Sequence, residues 1–137
     1  MDASAVALGK ARKLAAAAGV SVDFRQADIT AWDWDAEPFD AVVGIFIQFL
    51  APPDRARIFE GLARAVAPGG LLLLHGYAPR QVDYGTGGPP HAENMYTLDL
   101  LRDAFDGFEE LHARDYDMEI DEGTGHSGLS ALVDFIA

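Results

Sequence analysis

Apolar residues recur along the chain with two spacings, one typical of helices and one typical of strands. Over residues 4–18 small and apolar side chains return every three or four positions while basic residues occupy the other face, which predicts an amphipathic helix. Ser4 suits the N-cap of this helix, and Gly19 suits the left-handed residue that ends it. A short β-branched run at residues 20–25 predicts a strand after the helix.

A nearly continuous apolar segment follows at residues 39–50. Its core, residues 41–47, has no polar face, and we therefore expect a strand that is buried on both sides, as in a parallel sheet covered by helices. A buried helix gives the same pattern and stays open as an alternative.

The next elements are marked by prolines and glycines. Pro52 and Pro53 predict the start of a second helix, because proline lacks only a donor that would be free there. The Pro-Gly-Gly at residues 68–70 predicts its end, and residues 71–74 predict an apolar strand. Thr97 is expected to cap a short helix. Strands alternating with helices are typical of an α/β fold.

The pattern changes near the end of the chain. Residues 116–120 and 129–135 alternate between apolar and polar on either side of a turn at residues 123–128, which predicts two antiparallel strands. We expect a single domain over residues 1–137, with a doubly wound, mostly parallel sheet that ends in an antiparallel hairpin.

The composition of the chain excludes some classes of binding partner. The 137 residues carry a formal net charge of −12 and no cysteine. The charge would repel nucleic acid and anionic membranes, so we expect neither as a partner and a small molecule instead, although the same acidity also serves solubility. No apolar run approaches the roughly 20 residues of a membrane span. The absence of cysteine rules out disulfides and is compatible with a cytoplasmic location.

Four features, in this order, resemble the class I S-adenosylmethionine-dependent methyltransferases, close to the tellurite-resistance and thiopurine methyltransferase-like branch. The resemblance covers nearly the whole chain and implies a Rossmann-like methyltransferase sheet, S-adenosylmethionine as cofactor and a small-molecule methyl acceptor. The features are Asp2 with Ser4 before the first helix, Ala-Asp-Ile at residues 27–29, Phe-Asp-Ala-Val-Val at residues 39–43, and Pro-Gly-Gly before the strand at residues 71–74.

The resemblance also implies which residues bind the cofactor. Asp2 matches the acidic residue that binds both ribose hydroxyls, a geometry in which a carboxylate accepts two hydrogen bonds. Asp28 matches the acid that contacts the adenine amine, with the amide of Ile29 donating to a ring nitrogen. Phe46 lies where the family's fourth strand reaches the cofactor. The alternatives are a disordered terminal residue for Asp2 and a solvated turn for Asp28.

Polar residues near the strand ends are candidates for acceptor binding and catalysis. Tyr77, His75 and Gln48 are the predicted catalytic residues, and Asn94, Tyr96 and His126 are further candidates. Methyl transfer depends on alignment and exclusion of water, and oxygen or nitrogen acceptors also need a proton removed. Alternatively, the histidines, tyrosines and asparagine among these candidates satisfy backbone groups. The long loop at residues 78–96 is typical of a lid or binding segment.

Two other motifs in this loop lack the context that their function needs. The Gly-Thr-Gly-Gly-Pro at residues 85–89 resembles a phosphate loop, but no strand leads into it and no helix with a lysine follows. His91 and Glu93 would supply only two ligands to a metal ion. We therefore expect no metal site.

The family's first strand and glycine-rich cofactor loop have no counterpart before Asp2. We therefore hypothesise a misplaced start and a domain truncated at its N-terminus, lacking the first strand and impaired in methyl transfer. A second hypothesis is a non-catalytic fragment or degenerate subunit that dimerises through an exposed sheet edge. A third, a nicotinamide-binding oxidoreductase, is disfavoured by the antiparallel ending and the missing fingerprint.

Overall fold

The computed structural model describes residues 1–121, 123 and 125–137. They form two compact units, residues 1–33 and residues 34–137. The predicted turn at residues 123–128 includes Thr124, which lies outside the described residues. No helix in the described part of the chain is long and apolar enough to cross a membrane.

The first unit contains the predicted amphipathic helix, α1 (Ala5–Ala18). The Ser4 hydroxyl accepts from the Ala7 amide at 3.2 Å, and Gly19 ends the helix with a φ of 68°, so both predicted caps are confirmed. A 3₁₀ turn (Ile29–Ala31) follows. The strand predicted at residues 20–25 is wrong: this stretch is irregular, and an isolated parallel bridge joins Asp2 to Gln26.

The second unit contains a four-stranded sheet with the order β1-β2-β4-β3. β1 and β2 are parallel, while β4 runs antiparallel to both β2 and β3. The elements are β1 (Phe39–Ile45), α2 (Pro52–Ala65), β2 (Val66–Tyr77), α3 (Gln81–Tyr84), a 3₁₀ turn (Ala92–Asn94), α4 (Leu98–Ala104), β3 (His112–Asp121) and β4 (Ser127–Ile136).

This sheet agrees with the predicted α/β class and with the antiparallel ending. The mostly parallel sheet is not confirmed, because one strand pair is parallel and two are antiparallel among the described residues. The two prolines at the start of α2 and the Thr97 cap of α4 are as predicted. The helix ends at Ala65, before the Pro-Gly-Gly motif, and residues 66–70 belong to β2.

Part of the core lies on the face of the sheet that α2 covers. Leu72 and Leu74 of β2 are almost fully buried there, as are Phe59 and Leu62 of α2. A chain of aromatic contacts continues this core: the Phe59 ring lies 5.5 Å from Tyr96 and 5.2 Å from Phe105. Offset and edge contacts of this kind add to the stabilisation from burial alone.

The opposite face of the sheet is open at β1. Val43 and Ile45 are 57% and 60% exposed, and Leu71 on the neighbouring strand is 40% exposed. The prediction that this segment is buried on both sides is therefore wrong. Successive side chains of a strand point to opposite faces, and α2 buries one face of the sheet only.

Candidate functional site

The chain makes an unusual bend directly after β1. Phe46 has a φ of 51°, the one positive value among the non-glycine residues described. Its amide donates to the His75 carbonyl at 2.9 Å, and its ring lies 4.8 Å from His75 and 4.7 Å from Tyr77. Such a conformation costs about 1–3 kcal/mol and persists only where the surroundings enforce it, most often at functional sites.

Gln48 connects the carboxyl ends of the two parallel strands. Its Nε2 donates to the Tyr77 carbonyl at 2.8 Å, and its Oε1 accepts from the Tyr77 amide at 2.6 Å. The side chain is 2% exposed. Both ends of the amide are thus engaged with the backbone, an arrangement that positions Tyr77. The predicted catalytic role of Gln48 stays a prediction.

A cavity of about 310 Å³ opens at these strand ends. Tyr77, Gln48 and Phe46, which the sequence singles out separately, all line it. Its walls are largely aromatic, and its volume suits a small ligand. The lining residues are Phe46, Gln48, Phe49, Tyr77, Gly88, Pro89 and His126.

Tyr77 and His126 meet in this cavity. The Tyr77 hydroxyl and His126 Nδ1 lie 3.2 Å apart, and the two rings are nearly parallel, with centroids 6.4 Å apart. Tyr77 is 3% exposed and packs on Met95 and Leu132, whereas His126 is exposed. The hairpin thus brings a histidine to a residue 49 positions earlier in the chain.

His75 lies outside the lining of this cavity. Its Nδ1 is 2.6 Å from Asp134 Oδ1 of β4, the residue directly opposite it in the sheet. Its ring supports the edge of Phe46. The structure therefore places His75 behind the cavity wall, and its predicted catalytic role stays a prediction.

The loop at residues 78–96 is fastened to the sheet near its start. Gln81 is fully buried; its Nε2 donates to Thr86 Oγ1 at 2.9 Å and to the Gly87 carbonyl at 3.1 Å, and its Oε1 accepts from the Ala131 amide at 2.7 Å. These bonds hold the segment that carries Gly88 against the sheet. It forms a fixed wall of the cavity.

The other end of the loop is held by α2. Arg55 Nη1 donates to the carbonyls of Glu93 at 2.5 Å and Met95 at 3.5 Å, and burial lowers the pKa of Arg55. Burial also raises the pKa of Tyr96, whose hydroxyl has no hydrogen-bond partner within the described residues. Tyr96 and the buried Asn94 contribute to packing and do not line the cavity.

The remaining loop candidates are exposed. His91 Nδ1 lies 3.5 Å from Glu93 Oε1 at the surface. Across the part of the chain that the structure describes, no group of three or more histidine, cysteine or acidic side chains is placed to hold a metal ion.

In the first unit both predicted acidic ligands are exposed and take part in local hydrogen bonds. Asp2 Oδ1 accepts from the Ser4 amide at 2.6 Å. Asp28 Oδ1 accepts from the Thr30 hydroxyl at 2.7 Å and the Thr30 amide at 2.9 Å, and these bonds lower the pKa of Asp28. Asp28 thereby caps the 3₁₀ turn that begins at Ile29.

The family model of a methyltransferase domain matches residues 1–70. The chain therefore belongs to the methyltransferase-domain family, as the sequence features predict. No curated protein matches the chain at a significant level.

Solved structures share its fold. TehB from Haemophilus influenzae superposes with a TM-score of 0.76 at 14% identity, over 98% of this chain and 47% of TehB. N-methyltransferase NodS from Bradyrhizobium japonicum gives 0.68 at 16% identity, over 98% of this chain and 70% of NodS. A NodS complex with S-adenosyl-L-homocysteine gives 0.66 at 16% identity, over 98% of this chain and 63% of that one. This chain thus spans about half the length of TehB.

Proposed function

We propose that this chain binds S-adenosylmethionine and takes part in methyl transfer to a small-molecule acceptor. The observation that carries the proposal is the cavity at the carboxyl ends of β1 and β2, with the strained Phe46 in its wall. In open α/β sheets ligands bind outside these strand ends. When bound, the cofactor supplies the methyl group from its sulfonium.

The residues of the chain fit this cofactor chemically. The Asp28 carboxylate, whose pKa is lowered, accepts hydrogen bonds and suits the exocyclic amine of adenine. Asp2 offers the same acceptor chemistry to the ribose hydroxyls, and the amide of Ile29 is proposed to donate to an adenine nitrogen. Phe46 is proposed to contact the cofactor where the chain bends after β1.

Calorimetric titration of the 137-residue chain with S-adenosylmethionine tests the proposal. We expect saturable binding that Asp28→Asn weakens about tenfold, the equivalent of 1.4 kcal/mol. Asparagine keeps the cap of the 3₁₀ turn and removes the charge, and Asp23→Asn is the matched control for the loss of one exposed carboxylate in the same unit. Absence of binding by the wild-type chain would refute the proposed function.

A second candidate function is a non-catalytic subunit that forms a homodimer through the edge of β1. A strand that is paired on one side only is a template for another strand, and the exposed apolar side chains of Val43 and Ile45 lie on this strand. In the described residues β1 pairs only with β2.

A further inference from the structure

We propose that Tyr77 and His126 form a proton relay and that the methyl acceptor is a small, neutral aromatic molecule with an ionisable hydroxyl or thiol group. This inference rests on the proposed function and deepens it. It starts from the 3.2 Å contact between the Tyr77 hydroxyl and His126 Nδ1 in the wall of the cavity.

The lining of the cavity selects the class of acceptor. Phe46, Phe49 and the ring of Tyr77 give it aromatic walls, which favour stacking with a planar ring. None of the seven lining residues is an arginine, lysine, aspartate or glutamate. An acceptor with a permanent charge would lose its hydration and meet no permanently charged side chain among these seven residues, so a molecule that is neutral when it binds fits better.

The polar groups of the cavity point to proton transfer. Gln48 uses both ends of its amide on the Tyr77 backbone. Among the lining residues the Tyr77 hydroxyl and the His126 imidazole carry the other polar side-chain atoms. A hydroxyl hydrogen-bonded to an imidazole can accept a proton on one side while passing its own proton to the other.

The glycine-rich segment of the loop, residues 85–89, packs closely against Tyr77 and His126. An added Cβ at Gly87 would lie 2.5 Å from His126 Nδ1, and one at Gly88 would lie 3.0 Å from Tyr77 Cδ2. Both residues have positive φ, 135° and 87°. The motif that resembles a phosphate loop in the sequence thus provides close backbone approach to two side chains.

The difference in burial between the two residues sets the direction in which the proton moves. Tyr77 is buried at the cavity, while His126 is exposed to solvent. As the acceptor's oxygen or sulfur forms its bond to the methyl carbon, the carbon–sulfur bond of the sulfonium breaks and its electron pair stays on that sulfur. The acceptor proton passes to the Tyr77 oxygen, the Tyr77 proton passes to His126 Nδ1, and the imidazolium releases it to solvent.

The test uses 4-nitrophenol, whose phenolate form absorbs visible light, and needs no cofactor. We expect the probe bound to the wild-type chain at pH 7 to show a larger phenolate fraction than the free probe, because His126 takes up the proton. His126→Gln and Tyr77→Phe should remove this excess. His126 is exposed, so that its substitution does not threaten the core; His91→Gln is the matched exposed-histidine control and should keep the excess.

Three results would overturn the relay: no probe binding to the wild-type chain, no phenolate excess in the bound probe, or an equal excess in wild type and His126→Gln. Each is independent of S-adenosylmethionine titration. A chain that binds the cofactor and lacks the phenolate excess would retain the proposed function and lose the relay, whereas the reverse result would support the relay and refute the function.

Discussion

Gly88 shows how one backbone position can shape the cavity. Its φ of 87° and the 3.0 Å approach of a Cβ to Tyr77 make any side chain unfavourable there. We expect Gly88→Ala to lower the free energy of unfolding by about 1–2 kcal/mol, since the left-handed conformation disfavours a Cβ. Urea unfolding followed by circular dichroism measures this.

Gly107→Ala is the control for that measurement. An added Cβ at Gly107 meets nothing within 4 Å, and its φ is not positive. The substitution should leave stability unchanged or raise it by up to about 1 kcal/mol, because alanine restricts the unfolded chain. Equal effects of the two substitutions would contradict the role assigned to Gly88.

A second prediction at the scale of single residues concerns the stability that Arg55 provides. Replacing it with methionine keeps much of the apolar stem but leaves the carbonyls of Glu93 and Met95 without this donor. We expect a loss of about 1.5–3 kcal/mol in the free energy of unfolding. Arg57→Met, two residues along the same helix at a 75% exposed side chain, should cost less than about 0.5 kcal/mol; a similar cost for both would argue against a loop anchor.

At the scale of elements, α3 is tied to strand β3 by charge. Arg80 precedes α3 and bonds to Asp115 at 2.5 Å and to Asp117 at 2.7 Å, and Tyr84 of α3 donates to Asp117 at 3.0 Å. The Arg80 guanidinium lowers the pKa of Asp117. The pKa of Arg80 is raised: burial opposes this, but the bonds to the two aspartates outweigh it.

This pairing predicts a dependence on pH. The folded pKa of Asp117 lies below its ordinary value of 3.8, so the pairing stabilises the fold above that pH and loses its effect as pH falls through the folded pKa. Asp117→Asn should be less stable than wild type in urea at pH 7, and the difference should shrink below pH 3.8. Asp106→Asn is the matched control for the loss of one carboxylate. A stability difference between Asp117→Asn and wild type that stays the same in strong acid would contradict the ion pair.

Elements with signals in their own sequence are predictable, while those that depend on distant partners are not. Ser4 and Gly19 mark the two ends of α1. They are predictable because a helix cap depends only on residues close by in the sequence. Residues 20–25 have the composition of a strand, but a strand also needs a neighbour along its length, which composition does not reveal. The apolar pattern of β1 likewise says nothing about what covers each face.

The same distinction holds for the candidate site. Tyr77 and Gln48 could be placed near each other because parallel strands end at one edge of a sheet. The pairing of His126 with Tyr77 depends on the register of a hairpin, and that of His75 with Asp134 on a strand 59 residues away. No local pattern encodes these contacts.

At the scale of the whole molecule, the exposed face of β1 and the strongly acidic composition act against each other. Apolar side chains at Val43 and Ile45 favour association, while a net charge of −12 opposes it. If the chain forms dimers through β1, sedimentation velocity should show association that increases with salt, because salt screens the repulsion.

Lysine substitutions locate the surface involved. Val43→Lys should weaken the association, since a lysine on an edge strand opposes its pairing with another strand. Val82→Lys, at a 42% exposed position in α3, changes the net charge equally and should leave association intact. A uniform monomer at all salt concentrations would rule out the homodimer.

The contact between Gln48 and Gly76 couples two positions of this chain. A Cβ at position 76 would lie 2.6 Å from the Gln48 Oε1, so any larger residue there would displace the amide that holds the backbone of Tyr77. The two positions are therefore expected to change together during evolution. In this chain, a substitution that removes the glutamine would also remove the obstacle to a larger residue at position 76.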